Sequence, residues 1–323
     1  KLCLKHILIF IQSYRLKKIL IIKHGSLGDI ISATSVIKDI RNHYKGDKIF
    51  ILKIKKFNQF FSDSKLIDKI ITDNRQGLFS IFTIVKKILN YKFDIIIDLQ
   101  NSQRTSVYIF FIRLFTNIEI NGTNHFATKR YQSKSGKLPN VIEGLSNQIE
   151  LLNINTRRRP FLDWLNDTYF DFSKIKVQDF IIINPGCSKH SIQKRWPPEY
   201  YANICSHLIS KQILPIIIGS SEDTEVINQI INKEKKALNL INNSPLGVIY
   251  KLSKKAKGAI SNDTGPAHLI AATGCKIHLI LSNFSNISTV IPQGSNVSFT
   301  QKQKIEQISV EEIKKKIQVY FKI

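Results

Sequence analysis

Acidic residues are scarce in this chain. Its 323 residues carry 24 Asp and Glu against 48 Lys and Arg, a formal net charge of +24. Such a surface attracts polyanions: nucleic acid, anionic lipid or a phosphorylated glycolipid. Much of the excess is Lys scattered along helical stretches of an Ile-, Lys- and Asn-rich sequence, a bias that background composition also produces. Methionine is absent, and a chain that begins at Lys1 without one leaves a preceding segment open. Cysteine is sparse: Cys3, Cys187, Cys205 and Cys275 stand far apart with no C-x-x-C pair. That spacing argues against a zinc site and a disulfide framework and fits a reducing cytoplasm. No apolar run is long enough to cross a bilayer. Residues 2–11 are apolar apart from Lys5 and His6 and are followed by Arg15, Lys17 and Lys18, the pattern of an interfacial helix or a plain N-terminal extension. G-x-G-x-x-G, G-K-[ST] and D-x-D are all missing. Their absence disfavours a dinucleotide fingerprint, a P-loop and a metal-held diphosphate, so the expectation is no metal and no cofactor.

What is present is a folded chain of 43% hydrophobic and 22% charged residues, long enough for two domains. Short Ile-rich runs alternate with longer amphipathic stretches, which predicts an α/β fold of β-α units feeding parallel sheets. The spacing predicts strands over 18–23, 48–53, 93–98 and 118–120, then 180–184, 213–219, 257–261 and 276–282. Helices are predicted to about His43, and over 78–90, 105–115, 141–152, 197–211, 222–232, from Pro266, and over 310–321. Residues 121–140 read as a long basic loop and 163–176 as the interdomain linker. The predicted domains are 1–165, including an extension over 1–17, and 178–309, with the helix of 310–323 packing back on the first.

Three constellations lie between a strand and a helix. In the first, Lys23-His24-Gly25-Ser26-Leu27-Gly28-Asp29, two glycines allow a tight path, and Asp29 reads either as a helix-start acid or as a carboxylate placed to take a proton. In the second, Asn184-Pro185-Gly186-Cys187-Ser188 is followed by Lys194-Arg195-Trp196-Pro197-Pro198. Ser188 can donate to a phosphate and Lys194 and Arg195 can neutralise one, whereas Trp196 reads as a packing anchor. The third, Ser261-Asn262-Asp263-Thr264-Gly265-Pro266-Ala267-His268, offers a helix start to an anion with His268 on its first turn. Glu222, just past a strand end, suits either ribose hydroxyls or a helix start.

Together these stretches resemble the heptosyltransferase family, family nine of the glycosyltransferases, from about Lys18 to Ser282. The resemblance rests on residues 19–31, Phe-Asp-Ile-Ile-Ile-Asp-Leu-Gln-Asn-Ser-Gln-Arg over 93–104, Asn-Pro-Gly with Lys-Arg-Trp-Pro, and the Asp-Thr-Gly-Pro-Ala-His bend. It implies a GT-B fold of two Rossmann-like domains facing across a cleft. It also implies an inverting, metal-independent transfer of heptose from ADP-heptose to a lipopolysaccharide core or lipid A-Kdo type acceptor. By that resemblance Asp29 is the general base and Lys194 the partner of the donor phosphates. Ser188, Glu222, Asp263, Thr264, Gly265 and His268 hold the donor, and Ser26, Gly28, Gln100 and Arg104 hold the acceptor. The implied partners are a nucleotide sugar and a phosphorylated or Kdo-containing glycolipid; the basic surface suits an anionic inner-membrane surface, with the protein cytoplasmic and peripheral on that membrane. The sequence departs from the family in Lys23-His24-Gly25-Ser26, in lacking a glycine after Gln100, and in its N-terminal extension. A family member using another nucleotide sugar is the alternative; a nucleic-acid-binding protein is disfavoured, since no RNA-binding aromatic signature or zinc finger is present.

Overall fold

In the computed structural model, the described residues are 15–75, 77, 79–133, 140–175, 179–187, 191–292, 294 and 296–323. Contacts divide the chain into two units: 1–25 with 33–161, and 26–32 with 162–323.

The first unit holds β1 (Lys18–Ile22), β2 (Lys48–Lys53), β3 (Lys69–Thr72), β4 (Ile95–Asp98), β5 (Glu119–Gly122) and β6 (Lys129–Arg130). All pair in parallel, in the order β3-β2-β1-β4-β5-β6. The helices are α1 (Leu27–His43), whose opening residues group with the second unit, α2 (Asn58–Asp63), α3 (Phe79–Tyr91), α4 (Gln103–Phe115) and α5 (Val141–Glu150). Ile19 to Ile22 of β1 are wholly buried, as a central strand covered on both faces requires.

The second unit repeats the plan. Its strands are β7 (Phe180–Asn184), β8 (Leu214–Gly219), β9 (Leu238–Ile241), β10 (Gly258–Ser261), β11 (Ile277–Ser282) and β12 (Val297–Lys302), in the order β12-β11-β10-β7-β8-β9. Read from the other edge, this is the order of the first sheet. Its helices are α6 (Pro198–Ser210), α7 (Thr224–Lys233), α8 (Leu246–Lys255), α9 (Gly265–Ala272), α10 (Ile287–Val290) and α11 (Val310–Phe321). In each sheet the chain reverses its direction of winding between two central strands, β1 and β4 or β7 and β10. Ligands bind such folds beyond the carboxyl ends of those strands. All three constellations lie there.

Several expectations need correction. The last helix, expected on the first domain, has its apolar face in the second unit: Ile313, Ile317 and Phe321 are buried in that unit's core with Trp196, Ile204 and Ile260. The four-residue spacing of its apolar stripe announces a buried face but names no partner. The stretch read as a linker is built into the second unit: it forms a 3-10 turn over Asp163–Asp167 that buries Leu165 and packs against α8. The basic loop after residue 120 is in part strand, because Asn121 and Gly122 pair with Lys129 and Arg130 of β6; the Lys134 to Lys137 part of that reading lies outside the described residues. Four strands, β3, β6, β9 and β12, were not predicted. They are short or lie at sheet edges, where half-exposed sequences such as Val297–Lys302 lack the Ile-rich signature. Among the described residues, no helix is long and apolar enough to cross a membrane.

Ile317→Ala removes a fully buried side chain from the shared core of α11 and the second sheet. It is expected to destabilise that unit by roughly 2–4 kcal/mol, read as a lower urea midpoint in tryptophan fluorescence. An unchanged midpoint would remove α11 from the core.

Candidate active site

Ser26 opens α1. Its backbone N–H and its Oγ both donate to Asp29 Oδ2, at 2.9 and 2.8 Å. This is the helix-start role foreseen for an acid at this position, and it fixes the carboxylate by one oxygen. Among the described residues Oδ1 accepts no hydrogen bond, and Asp29 is only half-buried. One oxygen orients the group and the other is left for chemistry, so the two readings of Asp29 are compatible.

Two close approaches join this helix start to the bend before α9. A side-chain carbon added to Gly28 would stand 2.6 Å from the His268 ring, and one added to Gly265 would stand 2.6 Å from Leu27 Cβ. Only glycine allows either contact. Thr264 caps α9, its Oγ1 accepting from the Ala267 N–H and from Asn184 Nδ2, the latter at 2.7 Å. The helix N-terminus thus stays aimed at the end of β7. Burial lowers the pKa of His268, while the carboxylates of Asp263 and Asp29 act in the opposite direction. Asp29, Asp263 and His268 therefore share one electrostatic neighbourhood.

Lys194 joins it: Nζ lies 2.7 Å from Asp263 Oδ2, which also accepts from Ser285 Oγ at 2.9 Å. Asn262 holds the framework, donating through Nδ2 to Pro185 O at 2.8 Å and accepting from the buried Tyr201 hydroxyl at 2.9 Å. Trp196 is wholly buried and donates to Ile308 O, so it is a packing anchor as foreseen. Arg195 is spent on the loop itself, donating to Cys187 O and standing 3.6 Å from Asp223. Ser188, expected at the phosphates, lies outside the described residues.

Glu222 is exposed on the turn after β8, without a protein partner among the described residues. Its neighbour Asp223, which sequence reasoning passed over, is the buried acid here, accepting from Ser220 N–H and Oγ at 3.1 Å each. The signal was the Ser-x-x-Asp spacing of a capping box.

In the first unit, Gln100 Oε1 accepts the His24 N–H at 2.9 Å, which ties the turn after β1 to the turn after β4. Arg104 is held by Asp73, Tyr108 and Ser80, with a 2.7 Å bond to Ser80 Oγ. Burial pushes the Asp73 carboxyl up, but hydrogen bonds from Tyr108 and the Arg75 backbone and the Arg104 charge outweigh it and hold it below the usual range. Burial raises the pKa of Asp98 to about 6 although the Asn101 and Gln100 N–H groups donate to it. His24 is 1% exposed and, among the described residues, neither ring nitrogen has a hydrogen-bond partner; burial, aided by the Arg75 charge, lowers its pKa to about 4. It is therefore neutral near pH 7, and its 3.9 Å approach to Asp73 is not an ion pair. Sequence reasoning missed Asp73 because it missed β3, whose end carries it. Among the described residues, no three His, Cys, Asp or Glu side chains cluster to hold a metal ion.

Twin parallel sheets of one strand order, with loop and helix-start polar groups at the switch points, make up the two-sheet α/β architecture of the GT-B fold. The model of glycosyltransferase family 9 (heptosyltransferase) matches residues 81–277, and the chain belongs to that family. It is 21% identical over 278 residues, 81% of this chain and 78% of the relative, to the lipopolysaccharide core heptosyltransferase OpsX of Haemophilus influenzae. Its fold resembles a family 9 glycosyl transferase of Veillonella parvula, at 20% identity and a TM-score of 0.76, over 94% of this chain and 97% of that one. It also resembles E. coli heptosyltransferase WaaC, solved with ADP-2-deoxy-2-fluoro heptose, at 16% identity and a TM-score of 0.74, over 94% and 99%.

The pKa of His24 yields a stability prediction. The unfolded His24 takes up a proton near pH 6.5, whereas the folded one resists until about 4, so stability present above 6.5 is lost as pH falls toward 4. Asp98 acts oppositely, since its penalty appears as pH rises from 3.8 to about 6. His24→Asn should flatten the loss of stability between pH 6.5 and 4.5, measured by urea unfolding at both pH values. An identical loss in variant and parent would show that His24 is not buried neutral.

Proposed function

We propose that this enzyme transfers heptose from ADP-heptose to a lipopolysaccharide core acceptor of the lipid A-Kdo type, by an inverting and metal-independent displacement. Family membership supports the transferase class. The observation that carries the mechanism is the shared neighbourhood of Asp29, His268, Asp263 and Lys194. The names of two relatives, a lipopolysaccharide core heptosyltransferase and a heptosyltransferase bound to an ADP-heptose analogue, support the choice of sugar and acceptor.

In this mechanism the acceptor hydroxyl oxygen attacks the anomeric carbon as the bond from that carbon to the diphosphate oxygen breaks. The hydroxyl proton passes to Asp29 Oδ1, and ADP departs with the bonding electrons. Charge grows on the leaving diphosphate in an oxocarbenium-like transition state, where a fixed cation is worth most. Lys194 supplies it by exchanging its Asp263 partner for phosphate oxygens. Asp263, released, and Thr264, Gly265 and His268 then hold the sugar and diphosphate, Glu222 takes the ribose hydroxyls, and Ser188 serves the phosphates. Ser26, Gly28, Gln100 and Arg104 take the acceptor side, with Arg104 kept in place by Asp73. The enzyme works in the cytoplasm, peripheral on the inner face of an anionic membrane.

Three measurements test the reading. In calorimetry ADP should bind at least about tenfold more tightly than UDP or GDP, a difference of about 1.4 kcal/mol; equal affinities would remove the support for an adenine nucleotide and favour a family member with another donor. Asp29→Ala should lower kcat about 10²–10⁴-fold with ADP affinity unchanged, and retained turnover would exclude Asp29 as the base. Lys194→Ala should both weaken ADP binding and slow transfer, because the lysine serves ground and transition states alike; unaltered kinetics would exclude its phosphate role.

A further inference from the structure

Helix α4 is apolar on both sides. Tyr108, Ile109 and Ile112 face inward and are buried, whereas Phe110, Leu114 and Phe115 on the outer side are 38%, 60% and 70% exposed. Beside them α3 leaves Phe79 85% and Phe82 56% exposed. The rings are continuous: Phe82 meets Phe111 at 5.3 Å between centroids, Phe111 meets Phe110 at 5.3 Å, and Phe110 meets Phe126 at 5.1 Å. Single exposed apolar residues are ordinary, but a connected aromatic patch on a folded unit marks a surface that meets something.

Charge identifies the partner. Neither α3 nor α4 contains an acid, whereas together they carry Lys86, Lys87, Arg104 and Arg113. Lys86 and Lys87, within two turns of Phe79 and Phe82, are exposed, as is Lys129 beyond Phe126. A protein partner of complementary shape would need no such one-sided charge. A bilayer with anionic headgroups uses both features: rings enter the boundary between headgroup and acyl chain, and lysines stay among the phosphates.

We propose that the outer face of α3 and α4, with Phe126, is the surface by which this enzyme docks on an anionic lipid bilayer. The inference deepens the membrane part of the proposed function and rests on that reading only for a lipid-borne acceptor.

The test is flotation of the full chain with vesicles of phosphatidylglycerol and phosphatidylcholine, against vesicles of phosphatidylcholine alone. The parent should bind the anionic vesicles selectively. The combined Phe110→Ser, Leu114→Ser and Phe115→Ser variant should bind at least tenfold more weakly with unchanged far-UV circular dichroism. Lys86→Gln and Lys87→Gln should each weaken binding about fivefold. Phe115→Trp gives a readout independent of the triple variant's folding: brominated lipid should quench its added emission on docking. Equal binding to neutral vesicles, an unaffected triple variant or an unquenched Trp would each overturn the proposal. So would a dimer, seen by sedimentation velocity, that the triple variant dissolves while vesicle binding persists, since that assigns the face to a second copy. Transfer to a delipidated, water-soluble acceptor separates the two readings: parent and triple variant should transfer alike. If vesicle binding fails while this transfer persists, the docking surface alone falls; if the parent transfers nothing, the proposed function falls whatever the vesicles show.

Discussion

The contact between Gly28 and the His268 ring is the constraint on which the site depends. It requires a residue without a side chain at the second position of α1, and it sets the next residue, Asp29, beside the bend that carries Asp263 and His268. The matching contact of Leu27 with Gly265 holds the same two helix starts together from the other direction. An acid, an imidazole and the Lys194–Asp263 pair are thereby concentrated where the second sheet changes its winding direction. The polar residues behind them, Asn184, Asn262 and Tyr201, bond to one another's loops and leave that geometry little freedom.

The ion pair of Lys194 with Asp263 follows from the same logic. A cation meant for a diphosphate needs a partner when no diphosphate is bound, and a half-buried carboxylate 2.7 Å away supplies one without the cost of an unpaired charge. Arg195, adjacent in sequence, has the same charge but a different use, bracing the loop through Cys187 and Asp223. The first unit shows a parallel division: Arg104 is fixed by Asp73 and Tyr108, and His24 stays neutral between the cationic groups around it. Adjacency in sequence therefore says little about which of two basic residues meets a ligand.

Much of the fold was legible because buried parallel strands leave a strong trace. Runs such as Ile19 to Ile22 and Phe180 to Ile183 have one reading, and the strand over 48–53 was located to the residue. The four missed strands are short or half-exposed, and there periodicity carries little information. Gly28 and Asp263 stood out as parts of strand-to-helix turns, but which of them touch is a property of tertiary packing that no local pattern encodes. Asp223 and Asp73 stayed hidden for two different reasons: one beside a more conspicuous acid, the other at the end of an unrecognised strand. The exposed face of α4 was equally invisible, because apolar residues on two sides of a helix do not announce which side is buried until its neighbours are known.

The proposed transfer requires one reacting carbon to lie between a base fixed by Ser26 and a cation released by Asp263. The most direct measurement is a crystal structure with an unreactive ADP-heptose analogue bound. In that complex Lys194 is expected to leave Asp263 for the diphosphate, with Asp29 Oδ1 on the face of the sugar opposite the leaving oxygen. A diphosphate bound elsewhere, with Lys194 still on Asp263 and Asp29 remote from the anomeric carbon, would contradict it.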